Sequence, residues 1–242
     1  MIYLKKLLSY TRAAIDKYKM INDNDKIAIG VSGGKDSLAL LNIMAKLREF
    51  YPVKFDIMAI TVDPCFNDAD MDVSNIQKMC YDLNIDYIVK RTSLAKLVFD
   101  EFKAESPCSL CSRMRRGILH NIAKENNCTR LALGHHYDDA VETFLMNIFN
   151  GGRIGCFSPV SYLSKKDLFL IRPMIFCKER DVISFSTRNS IIVEKSKCPV
   201  DGKTERQNTK ELINILEKSY PDIKQKIMGA MQRSNIDKWG LN

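Results

Sequence analysis

The sequence predicts an α/β fold: a Rossmann-like open parallel sheet with helices on both faces, preceded by an N-terminal helix and followed by a C-terminal helical extension. Three observations lead there. Four short runs, KIAIGV, FDIMAITV, DYIVK and TRLALG, have the length and near-continuous apolar character of strands buried on both faces. The stretches between them carry apolar residues at helical spacing, as in SLALLNIMAKLREF, where Leu40, Ile43, Met44 and Leu47 recur. A glycine-rich turn, GVSGGKDS, joins the first run to that helix. Sheets of this βαβα order take ligands beyond the carboxyl ends of their strands, which is where the turn falls.

Along the chain, residues 1–24 read as an amphipathic helix closed by the polar break Asn22, Asp23, Asn24 and Asp25. Residues 25–174 hold the alternating α/β pattern. From residue 175 to residue 242 the composition shifts to charged amphipathic helices, in CKERDVISFSTRNS and in KTERQNTKELINILEKSYPDIKQKIMGAMQRS, with Pro221 suited to the first turn of a final helix. No run approaches the roughly 20 apolar residues that span a bilayer. The N-terminus is charged throughout without a signal-peptide core, so a cytoplasmic protein is expected.

The 242 residues are 45% hydrophobic, enough for one substantial core, and carry a net charge of +8 that favours a polyanionic partner such as nucleic acid. In a reducing compartment the eight cysteines are better read as ligands or catalysts than as disulfides. Cys108 and Cys111, three apart in PCSLCSRMRRG, share one face of a helical first turn and can grip one metal or cluster. Cys198, in KCPVDG, is the candidate third ligand. Spacing alone leaves zinc, with Asp201 or a histidine as fourth ligand, redox chemistry and iron–sulfur all open. Cys65, Cys80, Cys128, Cys156 and Cys177 stand singly and suit small apolar roles.

GVSGGKDS is built for phosphate, because glycines admit backbone N–H groups close to an anion and the following helix aims its positive end there. The Walker pattern fails, since Ile29 precedes Gly30 and Asp36 follows Lys35. SGGKDS instead resembles the PP-loop of the ATP pyrophosphatase superfamily, which splits ATP between its α and β phosphates. The resemblance implies that Ser32, Gly33, Gly34 and Ser37 bind phosphate oxygens, that Lys35 offsets their charge, and that Asp36 organises Mg²⁺. A second block, GHHYDD, gives Gly134, His135, Asp138 and Asp139 a part in binding nucleotide or metal, although aspartates at a helix start are also ordinary caps.

With CSLC-x-x-x-RRG, IRPM and the late Cys198, the chain closely resembles the tRNA 2-thiocytidine synthetases over nearly its whole length. It is less similar to the 2-thiouridine synthetases, which carry terminal zinc-binding clusters and a lysine where Arg115 stands here. The resemblance implies ATP, Mg²⁺ and a [4Fe-4S] cluster on Cys108, Cys111 and Cys198, with Asp36 and these cysteines as catalytic residues. It also implies a tRNA substrate and a sulfur donor system, either a cysteine desulfurase or free sulfide, and leaves room for a homodimer. The implied reaction adenylates the 2-oxo group of an anticodon-loop cytidine and replaces it with sulfur. Arg113, Arg115 and Arg116 are candidates for RNA phosphate or ATP. The alternatives are another PP-loop tRNA enzyme, for 2-thiouridine or lysidine, and a non-catalytic nucleotide-responsive RNA-binding module.

Overall fold

A computed structural model of the chain describes residues 2–66, 69–102, 107–194, 197–200 and 205–240. Six strands form one sheet: β1 (Asp25–Gly30), β2 (Phe55–Asp63), β3 (Asp86–Arg91), β4 (Arg130–Ala132), β5 (Val160–Leu163) and β6 (Leu168–Ile171), in the order β3-β2-β1-β4-β6-β5. The first four and β6 run parallel, while β5 returns antiparallel at the edge, with Val160 opposite Ile171.

Alternation along β1 divides the core. Ile27 and Ile29 face a cluster made with Leu38, Leu41 and Met44 of α2 (Lys35–Arg48), whereas Ala28 faces Met58, Ile60 and Leu131, covered by Ile122 and Ala123 of α5 (Pro107–Glu125). The central strands therefore read as unbroken apolar runs because both faces are covered. On the outer strand β3 the side chains are half-buried and the end is charged, at Lys90 and Arg91, as suits an edge.

The flanking helices are α1 (Ile2–Tyr18), α3 (Ser74–Asp82), the short α4 (Leu94–Lys96) continued by a π-helical turn, α6 (Tyr137–Phe149), α7 (Glu179–Arg188), α8 (Glu205–Ser219) and α9 (Ile223–Arg233). Helix α1 packs on α2 and α7, and α8 and α9 pack on α6. Trp239 is fully buried and donates to the Phe157 carbonyl at 2.8 Å. Among the described residues no helix is long and apolar enough to cross a membrane.

Three sequence expectations change in detail. The run TRLALG gives only the three-residue β4, because the chain then turns toward α6, although the Leu133 N–H still bonds to the Ile171 carbonyl at 3.1 Å. The β5–β6 hairpin was not foreseen. Its four-residue strands flank the polar turn SKKD, and Asp167 takes a left-handed φ of 44°. Pro221 lies in the turn before α9 rather than inside its first turn.

Order reverses at β1, whose neighbours are β2 on one side and β4 on the other. The loops after β1 and β4 diverge around that point and open a crevice at the carboxyl edge of the sheet.

Candidate active site

Helix α2 starts directly behind the glycine turn. Its N-cap, Gly34, brings no side chain to the first-turn amides, which leaves them for an anion. Inside the turn, the Ser32 N–H donates to Ser37 Oγ at 3.1 Å, and that hydroxyl donates to the Gly34 carbonyl at 2.9 Å. Gly33 has φ +80°, a conformation in which glycine is at ease, and its carbonyl accepts the Glu194 N–H at 3.1 Å. A Cβ there would lie 2.5 Å from Met71 Cε and 3.2 Å from Glu194 Cβ. Glu194, four residues before Cys198, thus lies against the phosphate turn.

Gly134 brings the two loops together, since a Cβ on it would sit 3.0 Å from the Asp36 backbone and 3.1 Å from the Ser37 nitrogen. His136 caps α6 in an unusual capping box: its Nδ1 accepts the Asp139 N–H at 3.2 Å, while Asp139 Oδ2 accepts the His136 N–H at 2.9 Å. The opposite ring nitrogen of His136 lies 3.7 Å from Asp36 Oδ1, which is buried and has no hydrogen-bond partner among the described residues. Burial opposes ionisation of Asp139, but the neighbouring His136 and His135 rings and the Arg206 guanidinium hold its carboxyl below the ordinary range. Asp138 faces elsewhere. Its Oδ2 accepts the Glu179 N–H at 2.7 Å and its Oδ1 pairs with Lys224 at 3.1 Å, so it ties α6 to α7 and α9.

Lys35 bridges Asp36 at 2.9 Å and Glu179 at 3.2 Å. Burial alone would lower its pKa, yet these two carboxylates raise it, so the ammonium is secured. Burial likewise works against the Glu179 carboxylate, but Lys210 and Lys35 outweigh it and bring the group down to about 2. Glu179 carries no signal in the sequence and reaches the turn from the start of α7.

Two cavities open from the turn. One, of about 220 Å³, is lined by Ser32, Asp36 and Ser37, by Ile60 and Val62 at the end of β2, and by Arg115 and His135. The other, of about 270 Å³, lies between Gly34, Asp63, Phe66, Glu194 and Lys197, and Arg115 lines it too. Asp63 shapes it by accepting the Cys65 and Met71 N–H groups at 2.9 and 2.7 Å.

Cys108 is exposed, Cys111 buried and Cys198 partly exposed. Burial pushes the Cys111 thiol up. Arg115 counters that by favouring thiolate, while negative charge on Cys198 and Cys108 adds to the rise. The fold has therefore brought a residue from the far end of the chain into electrostatic range of the C-x-x-C pair. Arg115, one turn beyond Cys111, links this group to both cavities. Asp201 lies outside the described residues. Of the single cysteines, Cys80, Cys128 and Cys177 are buried, while Cys65 and Cys156 are partly exposed.

This combination of a switch-point crevice, an anion-ready glycine turn and a paired Lys35–Asp36 tip defines a nucleotide-binding α/β domain, and the sequence profile of the PP-loop domain matches residues 7–207. The chain belongs to the PP-loop family. Within it the chain belongs with the tRNA-cytidine(32) 2-sulfurtransferases: it is 34% identical over 230 residues to the protein of that name from Syntrophotalea carbinolica, covering 94% of this chain and 88% of the relative. The counterpart from Geobacter metallireducens is 35% identical over 230 residues, covering 94% and 89% respectively. Among solved structures, the U34-tRNA thiolase NcsA from Methanococcus maripaludis with its [4Fe-4S] cluster superimposes with a TM-score of 0.78 at 25% identity, over 96% of this chain and 78% of that one. An NH3-dependent NAD synthetase from Campylobacter jejuni, at 14% identity and TM-score 0.50, shares the fold.

Proposed function

We propose that the protein is an ATP-dependent tRNA sulfurtransferase that converts an anticodon-loop cytidine to 2-thiocytidine. The single observation that carries this reading is the adjacency of the phosphate turn and the cysteine triad: the Glu194 N–H on the Gly33 carbonyl draws the segment that bears Cys198 across the turn, and Arg115 borders both. Nothing about a simple nucleotide sensor calls for three thiols at that place. The names of the relatives support the same substrate class.

In this reading the first-turn amides of α2, with Ser32 and Ser37, bind the departing pyrophosphate. Lys35, already protonated through Asp36 and Glu179, neutralises charge on it as the pyrimidine 2-oxygen attacks the α-phosphorus. Asp36 would hold Mg²⁺, a role that fits its buried Oδ1, which has no hydrogen-bond partner among the described residues, and the ion would polarise phosphate oxygens. Cys108, Cys111 and Cys198 would hold a [4Fe-4S] cluster, and a cluster on three thiolates leaves one iron to carry sulfide. Cys108 and Cys198 both act electrostatically on the Cys111 thiol, which supports that set, and Arg115 assists by favouring thiolate at Cys111. His135 lines the nucleotide side of the crevice, Asp139 holds His136 behind it, and Asp138 acts through the placement of α7. Sulfur would come from a cysteine desulfurase or free sulfide, and the enzyme would work in the cytoplasm, where such thiols stay reduced. An unpaired loop base suits the chemistry, since extruding it costs less than opening a helix.

The test combines two measurements on anaerobically prepared protein: AMP and pyrophosphate release on addition of unmodified tRNA, and mass analysis of the nucleosides afterwards. Equimolar AMP and a cytidine heavier by the exchange of oxygen for sulfur are expected. Thiolated uridine would overturn the choice of base, and tRNA-independent ATP turnover would overturn the substrate class.

A further inference from the structure

A third cavity, of about 520 Å³, lies behind the nucleotide crevice and shares Leu133 and His135 with its wall. Four arginines line it: Arg116 from α5, Arg153 after α6, Arg172 at the end of β6 and Arg206 at the start of α8. Arg206 is neutralised by Asp139 at 2.9 Å and Glu142 at 3.1 Å. The other three have no carboxylate partner among the described residues. Arg116 Nε donates to the Ser112 carbonyl at 3.3 Å, and Arg153 binds the side-chain oxygen of Asn147.

Arg172 is the informative one. It is only 4% exposed, its Nη1 donates to the Ser158 carbonyl, and its guanidinium sits 4.7 Å over the Phe157 ring. Its Nε is buried without a hydrogen-bond partner among the described residues. His135 Nδ1 is in the same condition. A buried guanidinium that lacks an anion is costly, so fixing one in a cavity with two further uncompensated arginines makes a site that an anion completes. Burial pushes the Arg172 pKa down to about 10, and the positive charge of Arg116 adds to that fall. Burial and the Arg172 charge push His135 below its ordinary value as well, so the ring stays neutral.

We propose that this arginine cavity binds a backbone phosphate of the substrate RNA beside the target nucleotide, and so holds the strand while the base enters the crevice past His135. The inference rests on the tRNA sulfurtransferase reading above. The phosphate chain of ATP could offer the same chemistry, but it has its own turn at Ser32–Ser37, none of which lines this cavity. Arg116 and Arg153 are exposed at the mouth, so a polymer can reach it.

The experiment measures binding of a synthetic anticodon stem-loop RNA by fluorescence anisotropy across a salt series, for the wild type, Arg153→Gln and Arg116→Gln. Both side chains are exposed, so the variants keep the fold, which circular dichroism checks. Each variant should flatten the plot of log K against log[salt] by up to about 0.7, the value of one single-strand phosphate contact, which the arginines of the cavity share. An RNA carrying one uncharged methylphosphonate at the contacted position should weaken wild-type binding and remove the difference between wild type and variant. RNA binding equal to wild type in both variants overturns the proposal. So does a loss confined to ATP or inorganic pyrophosphate affinity, which would assign the cavity to the nucleotide. Where wild type binds the stem-loop and releases AMP on adding tRNA while the variants match it, only the cavity assignment falls. Where wild type fails to bind RNA, the functional reading falls first.

Discussion

Replacing Gly33 with alanine should damage both stability and nucleotide binding, by an amount that can be built from two parts. A side chain at φ +80° occupies the left-handed region, at a cost of roughly 1–2 kcal/mol. The new Cβ would also stand 2.5 Å from Met71 Cε and 3.2 Å from Glu194 Cβ. Met71 Cε is the end of a flexible chain and can swing aside, whereas Glu194 is held by its N–H bond to the Gly33 carbonyl, so the steric part is about 1 kcal/mol, the low end for overpacking. The sum, roughly 2–3 kcal/mol, lowers the melting temperature by about 5–10 °C for a chain of this length. ATP affinity should fall more sharply than stability, because the displaced backbone is the one whose amides meet phosphate. Thermal melts and ATP titrations on Gly33→Ala, and on the same change combined with Met71→Ala, separate the parts: the second change should recover the steric share only. Wild-type melting and affinity in Gly33→Ala would refute the reasoning, and full recovery in the double variant would leave the left-handed backbone with no role.

Cys198→Ser should strip iron and acid-labile sulfide from anaerobically purified protein while ATP binding persists; wild-type metal content would remove Cys198 from the ligand set. Asp36→Ala should abolish AMP release and thiolation yet change stability by no more than about 1 kcal/mol, because its ion pair with Lys35 is partly exposed, and calorimetry with an activity assay checks both halves. Glu179 makes a pH prediction: its folded pKa, about 2, lies below its ordinary 4.5, so its stabilisation is full above 4.5 and is lost as pH falls toward 2. The melting temperatures of wild type and Glu179→Gln should therefore differ at neutral pH and converge through that window. A gap that stays constant down to pH 2 would mean that Glu179 is not ionised against Lys35 and Lys210.

Much of this was legible in the chain, for identifiable reasons. Strands β1 and β2 announce themselves because both faces are covered, and the phosphate turn announces itself because only glycine and small polar residues satisfy its backbone. The β5–β6 hairpin did not, since four residues give too short a pattern to separate from loop. Ion pairing was also hidden: GHHYDD reads as two equivalent aspartates, yet Asp139 closes a capping box beside the crevice while Asp138 reaches Lys224 and the start of α7. The chain offers the three cysteines as candidates, but the approach of Cys198 to Cys111 is a matter of tertiary packing, with Glu194 docked on the turn. Glu179 and Arg206 owe their places to tertiary packing, and a lone acidic or basic residue near a helix start carries no signal of that; Arg172 stands inside the IRPM motif, but its burial over the Phe157 ring is likewise a product of packing.

The bond between Glu194 and Gly33 also sets a timetable. Cys108 and Cys111 leave the ribosome well before Cys198, and Glu194, four residues before Cys198, docks on the turn that follows β1. A nascent chain that ends before Cys198 carries two of the three sulfurs, whatever the state of its sheet. On the proposed ligand set of Cys108, Cys111 and Cys198, metal loaded at that stage would meet an incomplete site, so cluster insertion is expected to follow folding of the domain.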